Sequence, residues 1–330
     1  MKKATVVIPN YNGYKYLKPC LDSLIAQDTD EFEVLIIDNA SKDESVPFIK
    51  ENYPSFRLMV MEENLGFAGG VNVGIKASRT PYVILLNNDT ESDSHYVKAL
   101  IEAIEKDEWI FSVSPKMVQF YDRTRLDDAG DGYNILGWSF QRGLERPADD
   151  PAYNKPCEVF SACAGASIYR KNVIDRIGGF DPAHFAYLED IDLGYRARLY
   201  GYKNMYEPSA VVYHVGSGTS GSKYNDFKVR LASRNNFYLT WKNMTPLQQV
   251  VNYLPLALGR KVKRSFFEKE GFAKAYDEGV REGKEKRKSL KKVPYRIAFI
   301  PNYLKVEGWL IKGLFVYTRE YMWRQMHKKA

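Results

Sequence analysis

Three places in the chain carry side chains that could do chemistry. The segment "YLEDIDLGYR" puts Glu189, Asp190 and Asp192 within four residues at the start of a helical pattern. Acids there complement the helix dipole, worth about 0.3–1 kcal/mol each. Three so close also repel one another, and a carboxylate held beside others gains a raised pKa and suits proton abstraction. The segment "YVILLNNDTESD" ends an apolar run abruptly at Asn87, Asn88 and Asp89. An Asp at a strand end is an ordinary cap for the next helix, and equally an oxygen ligand for Mg²⁺ or Mn²⁺ beside a substrate phosphate. His214, in "AVVYHVGSGTS", stands where a strand meets a Gly/Ser-rich loop and becomes a second candidate ligand in combination with Asp89.

These residues need a frame, and the apolar pattern supplies one. Strands are predicted at 5–9, 33–38, 56–61 and 82–86, with helices at 14–27, to about Tyr53, at 68–78 and at 93–106. Leu17, Leu21, Leu24 and Ile25 share one face of the first helix. Ser41 stands three residues before Glu44, a capping-box spacing that would open the second. Strands without polar alternation, separated by helices, predict a parallel sheet covered on both faces. The pattern loosens after 109, and no regular structure is expected over 122–156. A strand at 162–170, a helix at 171–177, the acidic helix, and two strands at 203–206 and 209–213 follow. Residues 226–330 read as mostly helical, interrupted at Pro246, Pro255, Pro294 and Pro301.

In an open parallel sheet, ligands bind at the carboxyl ends of the strands. Polar clusters fall at each of those ends: "PNYNG" (9–13), "DNAS" (38–41), "NLGFAGGVN" (64–72) and "NNDT" (87–90). Any one of them reads as a turn; four on one edge predict a nucleotide or similar ligand. The turn after the first strand holds only Gly13, so the G-x-G-x-x-G cradle of a dinucleotide-binding oxidoreductase is missing, and so is a P-loop. A metal ion is the remaining partner for a diphosphate.

Bulk properties bound the rest. A chain of 330 residues, 45% hydrophobic, fits one large soluble domain with an extension. Three cysteines at unrelated spacings argue against a disulfide framework and for a reducing compartment. Met1-Lys2-Lys3 leads directly into a strand-like run, with no signal-peptide pattern, and no window approaches the ~20 apolar residues of a membrane span. The net charge of +7 is uneven: residues 260–330 hold 20 Lys and Arg against 8 Asp and Glu, and the remainder is acidic by 5. That acidic body counts against a nucleic-acid footprint. In the tail, "KEKRKSLKK" precedes a stretch where aromatic and aliphatic residues interleave with Lys and Arg, which predicts peripheral contact of 284–330 with an anionic membrane surface. Residues 226–280 then read largely as a core-packing helical part.

Taken in order, "VVIPNYNG", "VLIIDNASKD", "NLGFAGGVNVGI", "VILLNNDT", "GASIYRKNVIDRIGGFDPAHFAYLEDIDLGYRARLYGY" and "VYHVGSGTS" resemble the family 2 inverting glycosyltransferases, in detail the rhamnosyltransferase-like branch. The resemblance covers residues 4–220 and implies a GT-A type α/β fold, a Rossmann-like, mostly parallel sheet with helices on both faces. It divides the chain into a catalytic domain over 1–225 (nucleotide-sugar binding over 1–108, acceptor and catalysis over 109–225) and a helical extension over 226–330. Pro9, Asn10, Tyr11, Asn12, Asp38 and Asn39 would line the pocket for base and ribose; Gly70 and Asn72 would lie beside the ribose and diphosphate. "NND" takes the place of an Asp-x-Asp metal motif. That makes Asp89 the principal ligand of Mn²⁺ or Mg²⁺, Asn87 and Asn88 its neutral neighbours, and His214 the distal ligand. Asp190 matches the catalytic base, with Glu189 beside it. Asp128 and Trp138 are candidate sugar contacts, or equally a turn acid and a core aromatic. The implied donor is dTDP-L-rhamnose, with a UDP-hexose or UDP-N-acetylhexosamine as the alternative; a non-catalytic sugar-nucleotide binding protein would need no base. The implied acceptor is a lipid-linked glycan, met in the cytoplasm at the inner face of the cell membrane.

Overall fold

The structure, a computed structural model, describes residues 1–216 and 224–327. The Gly/Ser-rich stretch after His214 lies, from 217 on, outside the described residues. Strand and helix alternate through the first part: β1 (Ala4–Asn10), α1 (Tyr14–Ile25), β2 (Phe32–Asp38), α2 (Ser45–Asn52), β3 (Arg57–Val60), α3 (Gly66–Ala77) and β4 (Tyr82–Leu85). β1 runs parallel to β2 and β4, and β2 to β3. Side chains alternate across a strand, so Val6 and Ile8 pack with Leu17 and Leu21 on one face, while Val7, Leu35 and Val83 meet Val71 and Ile75 on the other. Burial on both faces is why these strands carry no polar alternation.

The middle of the chain adds β5 (Thr90–Ser92), α4 (Tyr96–Glu105), β6 (Ile110–Gln119), β7 (Leu126–Asp128), β8 (Asp131–Tyr133), β9 (Ser139–Gln141), β10 (Cys157–Val159), β11 (Ile168–Arg170), α5 (Lys171–Ile177), α6 (Glu189–Leu199) and β12 (Lys203–His214). The main sheet runs β10-β12-β6-β11-β4-β1-β2-β3, with β5 on β12 and β7 on β6. β11 is antiparallel to both β4 and β6, which leaves β6 and β12 pointing the same way as β4. The carboxyl end of β12, at His214, therefore shares an edge with those of β1, β2 and β4.

Several local expectations change. The helix after β2 begins at Ser45, and its preceding residue makes no side-chain cap; Ser41 instead accepts the Asn12 amide at 2.9 Å and the Asn10 carboxamide at 3.2 Å. Only 168–170 of the apolar run 162–170 is strand. The expected pair at 203–206 and 209–213 is one strand, β12, whose register on β6 shifts between Glu207 and Val211, around Pro208. The segment 122–156 is ordered by short pairings, among them the β8–β9 hairpin, which no hydrophobic period announces.

The C-terminal part contributes α7 (Asp226–Asn243), α8 (Pro246–Val251), α9 (Tyr253–Lys269), α10 (Ala273–Lys286) and α11 (Ile300–His327). These helices share a core with the preceding part of the chain: Leu239, Leu256, Tyr303, Val306 and Leu310 pack with Tyr133, Phe160, Ile191 and Tyr195. A Cβ at Gly313 would sit 2.3 Å from the Tyr133 carbonyl, so α11 lies directly on the backbone of β8. The segment expected at a membrane surface thus commits one face to the interior.

Buried charge reinforces this join. Asp192 is fully buried and accepts Lys242 Nζ at 2.9 Å, Arg196 Nε at 3.0 Å and Asn243 Nδ2 at 2.8 Å. Burial alone would raise its pKa, but Lys242 and Arg196 outweigh it and hold the carboxyl well below the usual range. His184, also fully buried, has its imidazole pulled down to about 4 by burial. Both pKa values are lower folded than unfolded, so each group's stabilisation is complete above its unfolded value and is lost as pH falls through the folded one. For His184 that window runs from 6.5 down to about 4; for Asp192 it opens only below the ordinary Asp value. We expect the unfolding free energy from urea titrations to drop by about 3 kcal/mol between pH 7 and pH 4 through His184, and His184→Phe to flatten that limb. Asp192→Asn, which removes the buried carboxylate shared by Lys242 and Arg196, should cost about 3–5 kcal/mol at pH 7.

Candidate active site

The floor of the strand-end cleft is a chain of short polar side chains. Asn88 Nδ2 donates to Asn10 Oδ1 at 2.6 Å, Asn10 Nδ2 donates to Asp38 Oδ2 at 2.8 Å, and Asp38 Oδ1 accepts the Ser41 amide at 2.9 Å. Three strand ends are tied together, with Asn10, Asp38 and Asn88 all buried. Gly13 is required beneath this network, because a Cβ there would lie 1.9 Å from Asn88 Nδ2. Asn39 closes the next link, donating to Asn64 Oδ1 and the Gly66 carbonyl at 3.0 Å each, and Gly70 packs against its carboxamide. Asn72 is turned to the protein as well: its carboxamide bonds both the N–H and the carbonyl of Phe180. Of the residues expected at the nucleotide, Tyr11 and Asn12 are exposed and Pro9 is half-buried. They form the open rim over a buried, braced floor.

Backbone pairing brings the two expected metal ligands together across 125 positions. β5 pairs with β12 in a register that sets Thr90 opposite His214, and the Val215 amide donates to the Asp89 carbonyl at 3.0 Å. His214 Nε2 then lies 3.5 Å from Asp89 Oδ1, and Nδ1 lies 2.7 Å from Asp127 Oδ2. A carboxylate on Nδ1 fixes the tautomer and leaves Nε2 as the ligating atom. Two ligand atoms about 3–3.5 Å apart suit one ion bound at about 2.1 Å from each, so the pair fits a divalent cation. In this arrangement burial opposes the imidazolium, but the hydrogen bonds from Asp127 and Asp89 prevail and push His214 up to about 10. Asn87 contributes no charge; its carboxamide packs over Gly165 and its carbonyl accepts Thr90 Oγ1 at 2.6 Å.

The acids at the start of α6 separate into distinct roles. Asp190 is half-buried, with Oδ1 accepting the Ile191 amide at 2.7 Å and Oδ2 facing the Ala164 amide at 3.4 Å. Burial raises its pKa against those two hydrogen bonds. Glu189 is buried with one carboxylate oxygen unpartnered, and burial and then Asp190 push it well above the usual range. Asp192 belongs to the ion knot with Lys242, which leaves Glu189 and Asp190 as the two of the three expected acids outside it. Asp128 and Asp131 stand behind Asp190 with Cys163, one ligand-type atom of each lying within 4.8 Å of the others. Burial and then Asp127 push Asp128 up to about 8, and burial and then Asp128 push Asp131 well above the carboxylate range. Burial thus disfavours the charged form of both acids beside Asp190.

Trp138 is placed otherwise. Its indole N–H donates to the Gly259 carbonyl at 3.1 Å and its ring meets Tyr317 edge-on. It joins the β8–β9 hairpin to α9 and α11, the core-aromatic alternative left open by the sequence.

Residues outside the motifs hold the turn that leads to Asp190. Phe185, Tyr187 and Leu188 adopt φ of 62°, 70° and 67° immediately before Asp190, left-handed conformations that cost non-glycine residues about 1–3 kcal/mol each. The turn is held by α7: Asn235 Nδ2 donates to the carbonyls of His184, Ala186 and Tyr187 at 3.0, 2.8 and 2.7 Å, and Arg234 to those of Ala183 and His184. Ser161 Oγ donates to the Asp190 carbonyl at 2.7 Å. Periodicity could not reveal Asn235, which reads as one more polar position in a helix. Asp127 and Asp131 were visible only as parts of "DDAGD".

A sheet of this order, with its polar residues gathered at one edge and a short antiparallel strand carrying an acid to a distant histidine, is the GT-A architecture of glycosyltransferases. A solved structure with this fold, the mannosyltransferase PcManGT from Pyrobaculum calidifontis in complex with GDP-Man and Mn²⁺, superposes with a TM-score of 0.54 at 15% identity, covering 97% of this chain and 87% of that one. The chain belongs to glycosyl transferase family 2, which its residues 5–178 match. Among curated relatives, the N-acetylglucosaminyl-diphospho-decaprenol L-rhamnosyltransferase of Mycobacterium tuberculosis is 27% identical over 237 residues, 66% of this chain and 77% of that protein. The teichoic acid poly(glycerol phosphate) polymerase of Staphylococcus epidermidis is 28% identical over 134 residues, 38% of this chain; the match spans only 19% of the polymerase.

The strained turn generates a test. Asn235→Ala should remove the donor shared by the carbonyls of His184, Ala186 and Tyr187, of which only His184 keeps Arg234, and destabilise the fold by about 1–3 kcal/mol in urea titration. It should also lower turnover more than donor affinity, since the turn sets where Asp190 stands.

Proposed function

We propose that the protein is an inverting glycosyltransferase that moves a sugar from a nucleoside diphosphate donor to a hydroxyl of a growing cell-surface glycan. The carrying observation is the Asp89–His214 pair, 3.5 Å apart at the strand-end edge, with Asp127 behind it and the Asp128–Asp131–Asp190 acids adjoining. Asp190 takes the proton of the acceptor hydroxyl as its oxygen attacks the anomeric carbon. Its raised pKa makes it a better base than an ordinary aspartate. A single in-line displacement inverts the centre and needs no covalent enzyme intermediate. Mn²⁺ or Mg²⁺ held by Asp89 and His214 would offset the charge that grows on the departing diphosphate. Tyr11, Asn12 and Asp38 line the donor pocket, and Glu189 and Asp128 border the sugar.

L-Rhamnose from dTDP-rhamnose is the donor favoured by the sequence resemblance and by the name of the mycobacterial relative, which also motivates a lipid-linked acceptor. Residues 1–225 form the catalytic unit, and 226–330 brace the base and meet an anionic membrane surface at the inner face of the cell membrane. Among the described residues no helix is long and apolar enough to cross a membrane, so such contact is peripheral in this reading.

The test is donor turnover: nucleoside diphosphate released from dTDP-rhamnose, UDP-hexoses and UDP-N-acetylhexosamines, with Mn²⁺ or Mg²⁺ and candidate acceptors. Asp190→Asn should keep donor affinity and lose about 10²–10⁴-fold in kcat. Asp89→Ala should abolish metal-dependent donor binding measured by calorimetry. The acid limb of the kcat/KM profile should lie above the ordinary Asp value of about 3.9, with activity lost as pH falls through it. Wild-type transfer by Asp190→Asn would remove Asp190 as the base.

A further inference from the structure

α8 and α9 are built inside out. They follow one another through Asn252, and their inward positions are polar or minimal. Gln248 and Asn252, both buried, donate to Glu307 Oε1 on α11 at 2.7 and 2.9 Å. Leu256 is buried, and Gly259 admits no side chain because a Cβ would lie 2.0 Å from the Leu136 carbonyl. The outward positions are aliphatic: Leu247, Val250, Val251, Leu254, Leu258 and Val262 are each 46–74% exposed. Their spacing keeps them on one stripe of the paired helices. Scattered exposed leucines need no explanation, but a continuous stripe of this kind marks an interaction surface.

Charge identifies the partner. From 227 to 267 the chain contains eight Lys and Arg and no Asp or Glu. Arg260, Lys261 and Arg264 lie on α9 itself; Lys261 is exposed, and Arg264 is exposed but paired with Asp277 and Glu268. A second copy docked symmetrically on the stripe would set these bases against themselves. Aliphatic side chains flanked by cations are what an anionic bilayer surface accepts, apolar groups entering the acyl boundary and bases staying at the headgroups. The position also serves the reaction. Gly259 seats α9 on the β8–β9 hairpin through Leu136 and Trp138, and β8 begins at Asp131, within the acid group beside Asp190.

We infer that the exposed stripe of α8 and α9, residues 247–262, is the face that docks on an anionic lipid bilayer and holds the acceptor side of the cleft to it. This rests on the membrane reading proposed above and relocates it from the tail to two helices expected, from sequence, to pack inward. The experiment is co-sedimentation of the full chain with vesicles of phosphatidylcholine alone and of phosphatidylcholine with an equal share of phosphatidylglycerol. The wild type should pellet with the anionic vesicles, and Val250→Glu/Leu254→Glu should lower the partition coefficient by about tenfold or more. That variant should keep the wild-type melting temperature and donor hydrolysis in solution, since both positions face solvent. Lys261→Glu should weaken binding several-fold, while Phe315→Glu on the exposed side of α11 should not. Wild-type pelleting by the double variant, or loss of binding by Phe315→Glu in its place, overturns the assignment to α8 and α9 and leaves the membrane reading standing. A wild type that ignores both vesicles, or that self-associates until the double variant disperses it, overturns both. Neither measurement uses donor or acceptor, so failure of the transferase reading would register separately.

Discussion

The carboxylate of Asp192 is buried against Arg196 and Lys242, and the position of α6 depends on that knot. Removing such charges from water is expensive, so the pairing is maintained only while α7 is docked. Lys242 also holds Asp181 at 2.6 Å, which caps the short turn leading to the left-handed residues before Asp190. One cation from the C-terminal helices thus fixes both ends of the segment that carries the base. Asn235 on the same helix closes the turn by its bonds to three carbonyls. The extension that looked like an appendage in the sequence clamps the turn before Asp190 and the start of α6.

On the other side of the cleft the organising device is backbone pairing. β5 is only three residues long, yet its register on β12 decides that Asp89 meets His214. A slip of one residue would send Asp89 to the opposite face. The Asn88–Asn10–Asp38 chain prevents that slip by tying the ends of β4, β1 and β2 together, and Gly13 leaves room for it. Neutral amides do this well because they both donate and accept, and they can be buried without an unpaired charge. Asn87 adds no further charge to a region where Asp89, Asp127 and the α6 acids already stand and where burial disfavours ionisation of Asp128 and Asp131.

The parallel sheet, the alternation of strands with helices, and the edge where ligands gather were all legible, because burial on both sheet faces leaves uninterrupted apolar runs. Asp89 and His214 were singled out by type and motif, and the fold places them 3.5 Å apart. The hairpin at 131–141 was not, since its strands are three residues long and pair by backbone bonds without a hydrophobic period. Ser41 was misassigned as a cap: its hydroxyl does bond a backbone amide, but that of Asn12 on the neighbouring loop. The stripe on α8 and α9 was read as core because period alone shows that a helix is amphipathic, not which side is out. Trp138 could have been either a sugar platform or a core ring until Gly259 and Tyr317 were seen against it.

By itself the sequence determined the class of fold and which side chains stand at the strand ends, since both follow from local rules: side-chain period for the sheet and turn chemistry for the strand ends. Tertiary structure alone decided the surroundings of each acid. Asp190 and Asp192 are two residues apart on one helix and nearly identical in local context. One faces the cleft and has a raised pKa; the other meets Lys242, fifty residues away, and has a lowered one. A pKa is set by the solvation and charges around a group, and those are supplied by elements distant in the chain.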